Sequence, residues 1–196
     1  TLRSGASAVE RGYACRPLSW HPGALRLAGL EKPGRTLAYQ LGLYHVQEAA
    51  SLIPVAALAP RPGDRVLDLC AAPGGKTAQL SVAMGGKGTI VANDVKIDRV
   101  RALRGNCERL GLLNVAVTVQ DGTRFPLDVG AFDRILLDVP CSCEGNVRQG
   151  GGGFEIPGEF LRGRSGLQAT LFGRVWKLLV HGGVLVLVHV RVLVHV

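Results

Sequence analysis

Long apolar runs are missing from this 196-residue chain. No stretch approaches the roughly 20 residues a helix needs to cross a bilayer, so no membrane partner is expected. The N-terminus, Thr1-Leu2-Arg3-Ser4-Gly5, has neither an initiator methionine nor the basic and apolar regions of a secretory signal, and the expected compartment is the cytoplasm. Cysteine is sparse and odd in number: Cys15, Cys70, Cys107, Cys141 and Cys143 are scattered in a way that suits reduced thiols, not a disulfide framework. Cys141-Ser142-Cys143 has no second Cys or His pair at zinc spacing, which argues against a metal. Aromatics make up only 5% of the chain. Trp20, Trp176 and Tyr44 are too few for a base-stacking platform, and Trp176 is expected in the core. Acidic residues are outnumbered, 15 against 23 Lys and Arg, and the resulting charge of +8 points to a polyanionic partner such as nucleic acid. Charged residues reach only 19% against 47% hydrophobic, which excludes wholesale disorder. The expected molecule is a globular monomer whose core needs no disulfide or metal.

Residues 1–62 contain many Gly, Pro and Arg and read as a lead-in, with Pro17-Leu18-Ser19-Trp20-His21-Pro22-Gly23 as loop or short strand. Tyr39 to Leu58 becomes helix-like, with Leu43, Val46, Ala50 and Ile53 near helical spacing and a kink or end expected at Pro54. Arg61-Pro62-Gly63-Asp64 is a turn, and a second unit, residues 63–196, alternates strands with helices. Strands are expected at Val66–Cys70, Thr89–Ala92, Val115–Val119, Phe132–Leu137 and Val184–Val188. Helices are expected from the Gly-rich turn to about Met84, along the face Val100, Leu103, Cys107 and Leu110, and over residues 165–180 with Leu167, Leu171, Val175 and Leu178 inward. This order implies a Rossmann-like α/β fold, a doubly wound, mostly parallel sheet with both faces covered.

In such a sheet a ligand sits at the carboxyl ends of the strands, beside the turn after the first. That turn is Cys70-Ala71-Ala72-Pro73-Gly74-Gly75-Lys76. Gly74 and Gly75 let backbone approach a ligand, and the next helix aims its positive end there. Neither the G-x-G-x-x-G pattern nor Walker A spacing is present, so phosphate is not the favoured ligand. Asp94 falls 20 residues after Gly74, at the end of the second strand, where a carboxylate can accept from both ribose hydroxyls. Asp121, after the third strand, is placed to accept from an exocyclic purine amine. Taken singly, Asp94 and Asp121 also fit strand-end turns and Lys76 a solvated cation; together the three strand ends fit S-adenosyl-L-methionine.

The fourth strand delivers Asp138-Val139-Pro140-Cys141-Ser142 to the same rim. Carbon 5 of cytosine is too poor a nucleophile to take a methyl group directly. A thiolate adding to carbon 6 converts the ring to an enamine, and a carboxyl group at ring nitrogen 3 stabilises the developing charge. A lone Cys is more often a small buried hydrophobe; the position of Cys141 beside Asp138 at the rim favours chemistry.

Asp68-Leu69-Cys70-Ala71-Ala72-Pro73-Gly74-Gly75-Lys76-Thr77, Ala92-Asn93-Asp94 and Asp138-Val139-Pro140-Cys141-Ser142, with Tyr44-His45-Val46-Gln47-Glu48 upstream, resemble the Sun family of RNA (cytosine-5)-methyltransferases over about residues 17–186. The likeness is greatest to bacterial enzymes of small-subunit ribosomal RNA. It implies the class I S-adenosylmethionine-dependent methyltransferase fold, with residues 63–196 as catalytic domain and RNA as partner. It also implies that Cys70 to Lys76 hold the methionine part of the cofactor, Asp94 the ribose and Asp121 the adenine edge. Asp138 would face cofactor and target base, Arg99 would reach the cofactor region, and Cys141 would assist breakdown of the enzyme–RNA adduct.

One departure stands out. The family's nucleophile is a second cysteine ending the fifth strand, and Val190 occupies that position here, after Gly182-Gly183-Val184-Leu185-Val186. The string Leu187-Val188-His189-Val190 recurs as Leu193-Val194-His195-Val196. A truncated or frameshifted product, a divergent homologue, and unreliable residue identities compete as explanations, and the first and third fit best. On this reading the chain is cut at both ends, with residues 1–62 the remnant of an RNA-binding region. Arg99, Arg101, Arg104, Arg109, Arg148, Arg162, Arg164 and Arg174 are the candidate phosphate contacts. Two other readings stay open: a non-catalytic RNA- or cofactor-binding homologue, and a small-molecule methyltransferase without RNA affinity.

Overall fold

The computed structural model describes residues 15–27, 32–139 and 158–188. The group around Trp20 is short strand and turn, as expected: β1 (Cys15–Leu18) and β2 (His21–Leu27) form an antiparallel hairpin. The expected helix from Tyr39 to Leu58 is not continuous. A single turn, α1 (Leu37–Gln40), stops before Gly42, which takes φ +71° where its Cα passes so close to the end of a later helix that a Cβ would lie 2.0 Å from the Arg109 carbonyl. A 3-10 turn at Ala49–Leu52 then leads into α2 (Ile53–Leu58). Pro54 sits in the first turn of α2, where no amide donor is needed, so it starts the helix and does not kink it.

The main sheet has five parallel strands in the order β5-β4-β3-β6-β7, with β3 (Arg65–Asp68), β4 (Thr89–Asn93), β5 (Val115–Thr118), β6 (Phe132–Asp138) and β7 (Leu179–Val188). Between them run α3 (Gly75–Ala83), α4 (Ile97–Arg109) and α5 (Gly158–Trp176). Strand alternation sorts the core into two layers. Leu67, Ile135 and Leu137 face α5 with Leu171 and Val175, while Val66, Ile90 and Leu136 face α2 and α3 with Val55, Leu58 and Leu80. Both faces of β3 and β6 are thus covered, which explains their unbroken apolar runs. Ala92, Leu103 and Cys107 seat α4 beside them, on the face expected from its spacing.

The helix expected to reach residue 180 ends at Trp176. The Phe132 amide captures the Leu178 carbonyl at 2.7 Å, and the chain leaves the helix to pair with β6. Leu178 is buried as expected, but as a strand entry. Trp176 is not in the core: it is 61% exposed and stacks on Phe172 along the outer side of α5.

Candidate functional site

β3, β4 and β6 end side by side, and their last residues with the turns beyond them build the site. After Asp68 the chain is held by hydrogen bonds from Leu69 N to the Leu136 carbonyl and from Ala71 N to the Asn93 carbonyl, at 3.2 and 2.7 Å. The turn closes through Gly74 N to the Ala71 carbonyl at 2.8 Å, across a cis Ala72–Pro73 peptide. Gly74 adopts φ +100° as the N-cap of α3, a conformation a side-chain-bearing residue resists. The expected turn Cys70 to Lys76 therefore presents backbone at the start of α3.

Asp94, 2% exposed, lies beside this turn. Its Oδ2 accepts from Ala72 N at 3.3 Å and its Oδ1 from Lys96 N at 3.0 Å. Arg99, though exposed on α4, is engaged: its Nη1 lies 3.3 Å from Asp94 Oδ2 and its Nη2 donates to the Ala72 carbonyl. Nor is Lys76 free in solvent, since its Nζ pairs with Asp138 Oδ2 at 2.6 Å and so bridges α3 to the end of β6. Asp121 caps a 3-10 turn at Gly122–Arg124, accepting from Thr123 N and Oγ1 at 2.9 and 2.7 Å. Those two bonds hold its carboxyl below the usual range.

Beneath the turn, Asp68 Oδ2 accepts from Thr77 Oγ1 at 2.7 Å, while Oδ1 is buried with no partner. Burial pushes the Asp68 carboxyl up to about 7. Burial, and then the carboxylates Asp68, Asp94 and Asp138, push the Cys70 thiol up to about 12. Cys70 is thus a protonated lining group without nucleophilic character.

Leu69, Cys70, Asp94, Arg99, Asp121 and Gly122 line a cleft of about 80 Å³. That is well below the roughly 300–1,000 Å³ of a ligand pocket. A wider groove of about 800 Å³ runs along α4 and β5, but it contains neither Asp94, Asp138 nor the glycine turn.

The structure therefore brings together Cys70, Ala71, Ala72, Pro73, Gly74, Gly75, Lys76, Asp94, Arg99, Asp121 and Asp138 around one set of strand ends. Cys141 and Val190 lie outside the described residues, as does Arg148. Three candidate phosphate contacts are redirected. Arg99 is engaged with Asp94, Arg174 donates from Nε to the Phe125 carbonyl at 2.6 Å, and Arg109 is committed to backbone carbonyls. Arg101 and Arg104 remain exposed on α4. Sequence reasoning left His45, Gln47 and Asn106 without roles; the only signal was the string Tyr44 to Glu48. Among the described residues no helix is long and apolar enough to cross a membrane, and no group of three or more His, Cys, Asp or Glu could hold a metal ion.

Residues 55–195 match the family described as 16S rRNA methyltransferase RsmB/F. A 28S rRNA (cytosine-C(5))-methyltransferase of Mus musculus is 44% identical over 141 residues, covering 71% of this chain and 18% of that protein. A tRNA (cytosine(49)-C(5))-methyltransferase of Pyrococcus abyssi is 38% identical over 191 residues, covering 94% of this chain and 60% of that protein. The solved structure of NSun6 from Pyrococcus horikoshii with SFG superposes with a TM-score of 0.72 at 28% identity, covering 83% of this chain and 43% of that one. A methyltransferase homologue from the same organism gives 0.77 at 32% identity, covering 92% and 57%. The chain spans less than two thirds of each.

Proposed function

The chain belongs to the 16S rRNA methyltransferase RsmB/F family, and on that premise we propose that it acts as an S-adenosyl-L-methionine-dependent methyltransferase on carbon 5 of cytosine in RNA, with ribosomal RNA as the first candidate. The observation that carries this reading is the convergence of the glycine turn, the buried Asp94 and the Lys76–Asp138 pair at adjoining strand ends. The residues fit the cofactor. Gly74 is buried at φ +100°, where a Cβ would collide with Leu103, and the buried Asp68 Oδ1 below the turn lacks a partner.

S-adenosylmethionine supplies an electrophilic methyl group. Cys70 to Lys76 hold its amino-acid end by backbone and by the start of α3. Asp94 offers about four acceptor positions, three of which are taken by Lys96 N, Ala72 N and Arg99. Asp94 would hold two ribose hydroxyls if the Arg99 guanidinium gave up its place on Oδ2. Asp121 keeps Oδ2 available for the adenine edge while Oδ1 serves the turn. Lys76 fixes the Asp138 carboxylate at the rim, where it faces the cytosine ring, and Cys141, three residues further on, assists release of the product. The remainder of the reading, a cytoplasmic protein without metal, is supported by the scattered thiols and the absence of zinc spacing in the sequence.

Titration calorimetry of the folded chain with S-adenosylmethionine is expected to show one saturable site; no binding overturns the cofactor. Methyl transfer is tested with V190C and unmodified ribosomal RNA, scored as tritium in 5-methylcytosine. An adduct with 5-fluorocytosine RNA in V190C supports the cytosine mechanism. An adduct in the parent chain that disappears in C141A instead makes Cys141 the nucleophile. Failure of V190C to label or trap RNA while it binds cofactor overturns the RNA substrate.

A further inference from the structure

The string Tyr44-His45-Val46-Gln47-Glu48 lies outside the cleft, yet it reaches the scaffold of the cofactor turn from two sides. Arg109, the last residue of α4, donates from Nη1 to the carbonyls of Tyr39 and Tyr44 at 2.7 and 3.3 Å. Its Nη2 lies 2.9 Å from His45 Nδ1 and donates to Asn106 Oδ1 at 3.2 Å. The guanidinium stacks on the Tyr39 ring, 3.8 Å from the centroid. Asn106 continues the chain by donating from Nδ2 to the Pro73 carbonyl at 2.9 Å, inside the glycine turn. On the second side, a Cβ on Gly75 would lie 3.2 Å from Gln47 Oε1 and 3.6 Å from His45 Nε2, so both side chains rest on the first residue of α3. Gln47 Oε1 also accepts from Gln79 Nε2 one turn further along α3.

The pattern uses what distinguishes arginine from lysine. A planar fork of five N–H donors meets acceptors on three segments at once while one face stacks on a ring. His45 completes it only as a neutral ring with the proton on Nε2, because Nδ1 must accept from Arg109. Burial, and then the Arg109 charge, lower its pKa to about 4. The first turn of α3 also carries Lys76, paired with Asp138, and Thr77, bonded to Asp68. A shift of this turn therefore moves the cofactor cradle and the rim carboxylate together.

We propose that Arg109 is a positioning residue for cofactor binding: through Asn106 it fixes Pro73, and through His45 it holds the Tyr44–Gln47 segment against Gly75, so that the turn Cys70–Lys76 is held in its binding conformation. The inference rests on the cofactor reading above and is tested so that the two can fail separately.

Arg65 is the matched control. It also donates to backbone carbonyls, of Val129 and Ala131, and lies over the ring of Phe132, but at the opposite end of β3 from the turn. S-adenosylmethionine affinity is measured by calorimetry for the parent chain, R109M, R109K, N106L, R109M/N106L and R65M, with melting temperatures recorded alongside. The expected result is at least tenfold weaker binding in R109M and N106L. The double variant is no weaker than R109M, since both act through one chain of bonds. R109K stays weakened because an ammonium lacks the fork, and it serves as the reading if R109M does not fold. R65M loses stability but binds within twofold of the parent. Binding within twofold of the parent in R109M and R109K, or weakening in R65M equal to theirs, overturns the proposal. If the parent chain binds no cofactor, the cofactor reading falls, and the brace is judged by amide hydrogen exchange. R109M must speed exchange at Ala71–Lys76 and leave the start of β3 unchanged; unaltered exchange at the turn refutes it.

Discussion

Replacing Gly74 by Ala tests the turn through two separable costs. The first is backbone: at φ +100° an L-residue pays roughly 1–2 kcal/mol. The second is steric. The new Cβ would lie 2.8 Å from Leu103 Cδ1 and 3.5 Å from Leu103 Cα, and Leu103 is fully buried between α4 and the sheet. Neither atom has space to retreat into, so overpacking adds about 1–3 kcal/mol. The smaller entropy of the unfolded alanine chain returns about 0.4–1 kcal/mol. The net loss is about 1–5 kcal/mol, which at ~2–4 °C per kcal/mol lowers Tm by about 2–20 °C in a chain of this size. Gly85 isolates the first cost: it sits at φ +63° with nothing within 4 Å of a Cβ. Its replacement by Ala therefore costs about 1 kcal/mol or less. Differential scanning calorimetry of G74A and G85A without ligand reads the difference directly. Equal drops in Tm would show that Leu103 does not confine the turn, and the account of why glycine stands at position 74 would be refuted.

Three further outcomes follow from the same geometry. Asp94→Asn keeps an acceptor for Ala72 N but removes the charge offered to two ribose hydroxyls; binding of S-adenosylmethionine should weaken by about 2 kcal/mol, ~30-fold in Kd, and a change under threefold in calorimetry contradicts the ribose role. Burial raises the folded pKa of Asp68 to about 7 from its ordinary 3.8, so between these values the folded state binds more protons than the unfolded and its stability falls as pH rises. D68N escapes this cost. Its Tm should exceed the parent's at pH 8, with the gap closing toward pH 4, and a gap independent of pH argues against a protonated Asp68. Trp176→Ala, on the exposed side of α5, should cost under about 1 kcal/mol by urea unfolding; a loss of 3 kcal/mol or more, as for a buried aromatic, restores the core placement that the structure overturns.

Much of the site was legible because its determinants are local. A strand of apolar residues, a glycine at 74 where φ must turn positive and a helix start at Gly75 lie within a dozen positions, and Asp94 recurs at the distance a strand–helix–strand unit requires. The strands β3 to β6 and the inward face of α4 were readable for the same reason: side-chain period reports which face is buried. Sequence reading failed where one element's end is decided by another. Tyr39 to Leu58 has helical spacing, but the backbone of Arg109 crowds Gly42, and His45 and Gln47 are needed against Gly75, so the helix breaks. The helix of α5 has apolar residues in register as far as Leu178, but pairing with Phe132 draws the chain into β7.

Charge behaved in the same way. Residue type alone made Arg99, Arg109 and Arg174 candidates for phosphate, and the fold assigns them to Asp94, to the brace and to the Phe125 carbonyl. The sequence by itself determined the α/β architecture, the glycine turn after β3 and the carboxylates at the strand ends, because each follows from short-range periodicity and backbone conformation. Only the tertiary structure decided which cations are committed, which carboxyl is forced toward its neutral form and which distant segment steadies the turn. Those outcomes depend on desolvation and on donor–acceptor distances between residues as many as 70 positions apart, which no local pattern encodes.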